Sequence, residues 1–147
     1  MIYMQSKTPK FKKVVVFGTF DLLHEGHLDF LRQAGKFGVE LMVAVPSDRV
    51  VEMLKNKKPA WDEKRRLAAV ASLVGVTKAV LGDDEPGTYS IIKKHRPGMI
   101  CLGYDQDDLK KDLEEKMRQD ILPKIPLITL KSHFPEKFKS SILRNTA

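Results

Sequence analysis

Five short apolar runs recur along the chain: Val14 to Phe17, Leu41 to Val45, Ala79 to Leu81, Met99 to Leu102 and Leu127 to Leu130. Segments with helical spacing separate them. An apolar run of this length between amphipathic helices reads as a strand buried on both faces, and regular alternation of the two predicts a parallel sheet wrapped by helices. The intervening helices read as His27 to Phe37, Asp48 to Leu54, Asp62 to Val74, Thr88 to Lys94 and Asp108 to Gln119. In the first of these, Leu28, Leu31 and Ala34 share one face. Asp62 suits an N-cap, and Gly35 with Gly38 marks the exit from the first helix. Because parallel crossovers are right-handed, the expected fold is α/β: a single-domain doubly wound (Rossmann-like) sheet of order 3-2-1-4-5 with helices on both faces. Ligands of such sheets bind at the carboxyl ends of the strands where the order reverses, here strands one and four.

The chain's 147 residues suffice for one domain with its own core. Residues 1–12 read as a basic tail without the apolar core of a signal peptide, and residues 13–147 as the domain. Lys and Arg number 26 against 19 Asp and Glu, a net charge of +7, which favours anionic partners such as nucleotides. Cys101 is the sole cysteine, so neither an internal disulfide nor a Cys-based zinc cluster is available, and a reducing cytoplasm is the natural compartment. No apolar stretch approaches a membrane span.

Directly after Val14 to Phe17 comes Gly18-Thr19-Phe20-Asp21-Leu22-Leu23-His24-Glu25-Gly26-His27, so a buried strand empties into a loop bearing two histidines three residues apart. With a helix starting near Glu25, both imidazoles face one point above the strand's end. The helix terminus adds unpaired N–H groups and a positive dipole end there, which suits a phosphate. Gly26 between them leaves the backbone open to a close approach. Lys55, Lys57 and Lys58 form a basic loop before the third helix, and Gly103-Tyr104-Asp105-Gln106 follows strand four on the same side of the sheet.

These features together resemble the cytidylyltransferase-like nucleotidyltransferases, over nearly the whole chain. Within that superfamily the chain looks most like archaeal-type FAD synthases and glycerol-3-phosphate cytidylyltransferases. Leu102-Gly103-Tyr104-Asp105-Gln106 resembles the LGxDQ of the FAD synthases, as does Val76 to Gly82. The resemblance implies an enzyme that joins a phosphomonoester to the α-phosphate of a nucleoside triphosphate and releases pyrophosphate, with Mg2+ or a similar divalent cation. It implies ATP and FMN as substrates, with CTP and glycerol 3-phosphate, or another alcohol or sugar phosphate, as the alternative. A homodimer is implied as well. A non-catalytic binder of nucleotides or nucleic acid is the remote alternative, one that leaves both histidines without a task.

The resemblance assigns His24 and His27 to the triphosphate oxygens, in forms that a nearby phosphate charges. Lys57 and Arg66 complete the implied catalytic set. Lys58 and Arg66 have the family's eight-residue spacing, and Arg65 competes with Arg66; a guanidinium is preferred because it grips two phosphate oxygens at once. The Gly18-Thr19-Phe20-Asp21 turn is implied to hold the nucleotide and its metal environment. Gly103 and Asp105 are implied to meet its base or ribose, although Asp105 also suits a turn before the last helix. Lys139-Ser140-Ser141 resembles the family's hydroxyl motif for the terminal phosphates. Trp61, Tyr104 and Phe134 are candidates for an apolar wall against a flavin ring. His95 and His133 are set aside, and Cys101 reads as core.

Overall fold

The computed structural model describes residues 10–132. Along the chain these form β1 (Phe11–Phe17), α1 (Glu25–Gly35), β2 (Gly38–Val45), α2 (Asp48–Lys55), α3 (Glu63–Ala71), β3 (Lys78–Leu81), α4 (Ser90–His95), β4 (Met99–Leu102), α5 (Asp107–Arg118) and β5 (Leu127–Thr129). Every strand pair is parallel and the order is β3-β2-β1-β4-β5. That is the expected doubly wound sheet.

Alternate side chains of a strand point to opposite faces, and the sequence fills both faces with apolar groups. Val14, Val16, Leu41 and Val43 pack on one side with Leu31 and Ala34 of α1 and Val70 of α3. Ile100 and Leu102 pack on the other with Ile92 of α4 and Leu113 and Met117 of α5. Burying each such side chain contributes roughly 1.5–3 kcal/mol, so the two layers hold the strand ends in fixed positions.

The elements depart from the expected bounds where local bonds decide. β1 begins at Phe11, inside the expected tail, because the Phe11 N–H donates to the Phe37 carbonyl at 3.0 Å. Its ring closes over Gly98, where a Cβ would come within 2.6 Å of it. α1 starts two residues before His27, since His24 is its N-cap. Asp62 caps α3 as expected, its carboxylate accepting from the Arg65 N–H at 2.8 Å, but α3 ends at Ala71 and not Val74.

Between β1 and β4 the order reverses, and Gln106 bridges the opening. Its side-chain oxygen accepts from the Gly103 N–H at 2.8 Å, and its amide nitrogen donates to the Phe17 carbonyl at 2.9 Å. One side chain thus ties the carboxyl ends of the two strands. Among the described residues no helix is long and apolar enough to cross a membrane.

Candidate active site

Above the carboxyl ends of the strands lies an open cleft of about 1170 Å3, lined by Gly18, Thr19, Phe20, Asp21, His24, Gly26 and His27 on the β1 side. Here α1 opens with a reciprocal cap. The His24 Nδ1 accepts from the Gly26 N–H at 3.1 Å, and the His27 Nδ1 accepts from the His24 N–H at 3.3 Å. An Nδ1 that accepts carries no proton, so in each neutral ring Nε2 is the donor. The rings stack, with centroids 3.7 Å apart and planes 22° from parallel. The capping geometry therefore sets the tautomer of both histidines.

Their charge state follows from packing. Burial lowers the pKa of His24 and takes that of His27 down to about 3, with the neighbouring His24 and Lys55 adding to the effect and Asp21 opposing it. Both rings are neutral donors near pH 7 in the protein without ligand. The charged forms expected beside a phosphate are disfavoured by this packing.

The turn before the histidines is held in a backbone conformation that few side chains adopt. Phe20 and Leu22 have φ of 52° and 53°. Such a non-glycine residue costs of the order of 1–3 kcal/mol, so packing must over-determine it. The Phe20 ring does this: it is buried, and it meets His27 edge-on at 5.4 Å between centroids. It also explains Gly18, where a Cβ would sit 2.5 Å from the Phe20 ring. Gly18 serves the packing of Phe20, in addition to lining the cleft.

Two of the expected site residues make structural bonds. The Asp21 carboxylate accepts from the Ala60 N–H at 2.7 Å and the Trp61 N–H at 2.8 Å, pinning the turn to the segment that precedes α3. Arg66 is fully buried and does not line the cleft. Its guanidinium donates to the Trp61 and Thr19 carbonyls, each at 3.1 Å, and to Asp48 at 2.8 Å. Those donors fasten α3 and α2 beneath the turn, away from the cleft lining where a phosphate contact was expected. Arg65 does not replace Arg66, because its guanidinium lies 4.2 Å over the Trp61 ring.

The lysine loop expected from the sequence, Lys55, Lys57 and Lys58, does line the cleft. Asn56, the left-handed C-cap of α2 with φ of 57°, turns the chain so that this segment borders the opening. Lys55 was outside the implied catalytic set, yet it lines the cleft with the other two. Desolvation lowers its pKa, while the carboxylates of Asp105 and Asp21 oppose that shift. Its sequence signal was its place at the end of α2. Asp105 lies at the mouth, and a Cβ on Gly103 would come 3.2 Å from the Asp105 carboxylate. Gly103 thus admits that side chain. Gln106, quoted in the motif but given no role, is the other residue missed.

Tyr104 lines the cleft, whereas Trp61 does not. Cys101 is buried in β4 and its thiol is pushed up to about 12 by burial, in keeping with a core position. Lys139, Ser140, Ser141, His133 and Phe134 lie outside the described residues.

A parallel sheet with an anion-binding helix start, two fixed imidazole donors and a lysine loop at its switch point defines a nucleotide-handling α/β protein. Residues 15–146 match the Cytidylyltransferase-like family, and the chain belongs to it. It is 42% identical over 121 residues to the FAD synthase of Aciduliprofundum boonei, covering 82% of this chain and 79% of that one. With the FAD synthase of Methanosarcina barkeri it shares 42% identity over 119 residues, 78% of this chain and 84% of the relative. Among solved structures, the lipopolysaccharide core biosynthesis protein from Thermoplasma volcanium superposes with a TM-score of 0.74 at 30% identity, over 84% of this chain and 98% of that one.

Proposed function

We propose that this nucleotidyltransferase makes FAD. A phosphate oxygen of FMN attacks the α-phosphorus of ATP, the new P–O bond forms as the bond to the bridging oxygen breaks, and pyrophosphate leaves with that oxygen. The observation that carries this choice is the 42% identity with the Aciduliprofundum boonei enzyme across 82% of the chain. Cleft size supports it: about 1170 Å3 exceeds the roughly 300–1,000 Å3 of a single-ligand pocket and leaves room for two substrates.

Such a transfer needs alignment and charge neutralisation more than covalent help. The Nε2–H groups of His24 and His27 and the N-terminus of α1 are the donors for triphosphate oxygens. Lys55, Lys57 and Lys58 bring positive charge to the same oxygens from the other wall. A bound phosphate stabilises the imidazolium form, so binding raises both histidine pKa values from their low unliganded state. The Asp105 carboxylate accepts from a ribose hydroxyl. Arg66 and Asp21 keep the turn in place without touching substrate.

Among the described residues no group of three or more His, Cys, Asp or Glu side chains is arranged to hold a metal. Asp21 already accepts two main-chain N–H bonds. The donor set among the described residues is therefore not one that holds a metal by itself. It fits a divalent cation such as Mg2+ that arrives with the triphosphate and keeps phosphate oxygens and water as ligands. Bound in that way the ion neutralises phosphate charge.

A second reading keeps the chemistry and changes the acceptor to an alcohol or sugar phosphate, in line with the name of the Thermoplasma volcanium protein. Purified protein supplied with ATP or CTP against FMN, glycerol 3-phosphate or a sugar 1-phosphate separates the two. FAD with one pyrophosphate per turnover in the ATP and FMN reaction alone is the expected outcome. A cytidine product on another acceptor would replace this proposal with the second reading.

A further inference from the structure

The cleft has a second arm that the phosphate chemistry leaves unexplained. It runs between the loop 82–89 that leaves β3 and the stripe of α5 bearing Leu109, Asp112 and Lys116. Three- and four-residue spacings put those three side chains on one helix face. Pro86, Gly87 and Tyr89 border the arm from the loop.

The polar groups of this arm are ordered by one another. The Tyr89 hydroxyl donates to the Asp112 carboxylate, and the Lys116 Nζ donates to both Asp112 oxygens at 2.6 and 2.8 Å. The ammonium also lies 5.5 Å from the centroid of the Tyr89 ring. That ring is in turn fixed edge-on against Phe17 at the end of β1, 5.7 Å between centroids. Among the described residues two of the three Lys116 N–H donors are thereby used, which leaves the third for a ligand. Gly87 makes room for the ammonium: its φ is +85°, and a Cβ there would come 3.0 Å from Nζ.

A slot with apolar and aromatic walls and a held cation at its edge suits a planar heterocycle with a carbonyl rim. The dioxopyrimidine edge of a flavin has two carbonyl oxygens flanking an imide N–H, so an ammonium finds an acceptor. Adenine presents an amino donor beside a ring nitrogen and no carbonyl. We infer that this arm seats the isoalloxazine ring of FMN, with Lys116 donating to a ring carbonyl. Lys116 is then a specificity-determining residue, and Tyr89 and Asp112 are positioning residues that hold its ammonium. The inference rests on FMN being the acceptor. A positive charge at the carbonyl rim also perturbs the ring's electronics, which gives an optical readout apart from turnover.

The test is a titration of FMN, followed by flavin absorption and fluorescence without ATP, into the wild type and into Lys116→Met, Lys116→Arg and Tyr89→Phe. Steady-state KM values for FMN and ATP accompany it. Removing a charged hydrogen bond predicts FMN binding weaker by roughly ten-fold or more in Lys116→Met, with the bound-flavin spectrum shifted. KM for ATP stays within about two-fold, Lys116→Arg recovers part of the FMN affinity, and Tyr89→Phe falls between. Unchanged FMN affinity and spectrum in Lys116→Met would overturn the inference, as would a rise in KM confined to ATP, which would assign the arm to adenine. A wild type that forms no FAD would refute the acceptor itself. FAD formation with an indifferent Lys116→Met would refute this assignment alone.

Discussion

The Arg66 guanidinium donates to the Thr19 carbonyl at 3.1 Å across 47 residues of sequence, from a side chain with no solvent exposure. The turn that leads to the histidines is thus held from below by the helix after the lysine loop. Replacing Arg66 with Met removes three hydrogen bonds at a buried site and should lower unfolding stability by roughly 3 kcal/mol or more. Lysine concentrates its donors on one nitrogen and cannot span the three positions that Nε, Nη1 and Nη2 occupy, so it should rescue little. Urea unfolding of the two variants checks this. A fully stable Arg66→Met whose KM for ATP alone rises would return Arg66 to the phosphates.

His24 has two tasks, as N-cap of α1 and as donor to phosphate, and one substitution separates them. Asparagine still offers a side-chain oxygen to the helix N–H groups, so His24→Asn should stay within about 1 kcal/mol of the wild type in stability. Losing the Nε2–H should lower kcat by roughly 10²–10³-fold. Comparison of kcat with the thermal midpoint decides it. Near wild-type turnover would reduce His24 to a cap.

The depressed pKa of His27 makes stability depend on pH with a definite sign. Unfolded, the imidazole titrates near its ordinary value of 6.5; folded, burial holds it at about 3. Between those values the unfolded state binds more protons, so stability is fully present above 6.5 and is lost as pH falls toward 3. Denaturation profiles at pH 4, 5, 6 and 7 should show a rise that is weaker in His27→Asn. A slope identical in the two proteins would mean that His27 is not the group responsible.

Chelation should stop catalysis while leaving the unliganded protein unchanged. With no cluster of three metal-ligating side chains among the described residues, EDTA is expected to abolish product formation and to shift the thermal midpoint by less than about 1 °C. A marked loss of stability on chelation alone would point to a resident metal.

Much of this architecture was legible because it is written in short-range pattern. Val14 to Phe17 and Met99 to Leu102 are apolar without interruption, which only a strand covered on both faces tolerates, and their alternation with helices leads to the order found. The paired histidines were legible for the same reason, since three-residue spacing at a helix start has one geometric outcome. Arg66 was not: its spacing from Lys58 suits a phosphate, but its partners Thr19 and Asp48 come from other elements, and sequence does not display such contacts. The bonds of Asp21 were equally hidden, since the main-chain N–H groups its oxygens accept from lie some forty residues on. Gln106 shows the converse. Its amide carries a donor and an acceptor, which suits a bridge between two strand ends, yet the sequence does not say which ends.

The central claim is that the cleft over His24 and His27 moves the adenylyl group of ATP onto FMN. The most direct test follows isotope from ATP labelled separately at the α- and γ-phosphates, in the wild type and in His27→Ala. The account predicts α-label in FAD at one per flavin, γ-label wholly in pyrophosphate, and both signals lower by roughly 10²-fold or more in the variant. γ-Label appearing on the flavin, α-label confined to free AMP, or transfer undiminished in His27→Ala would contradict it.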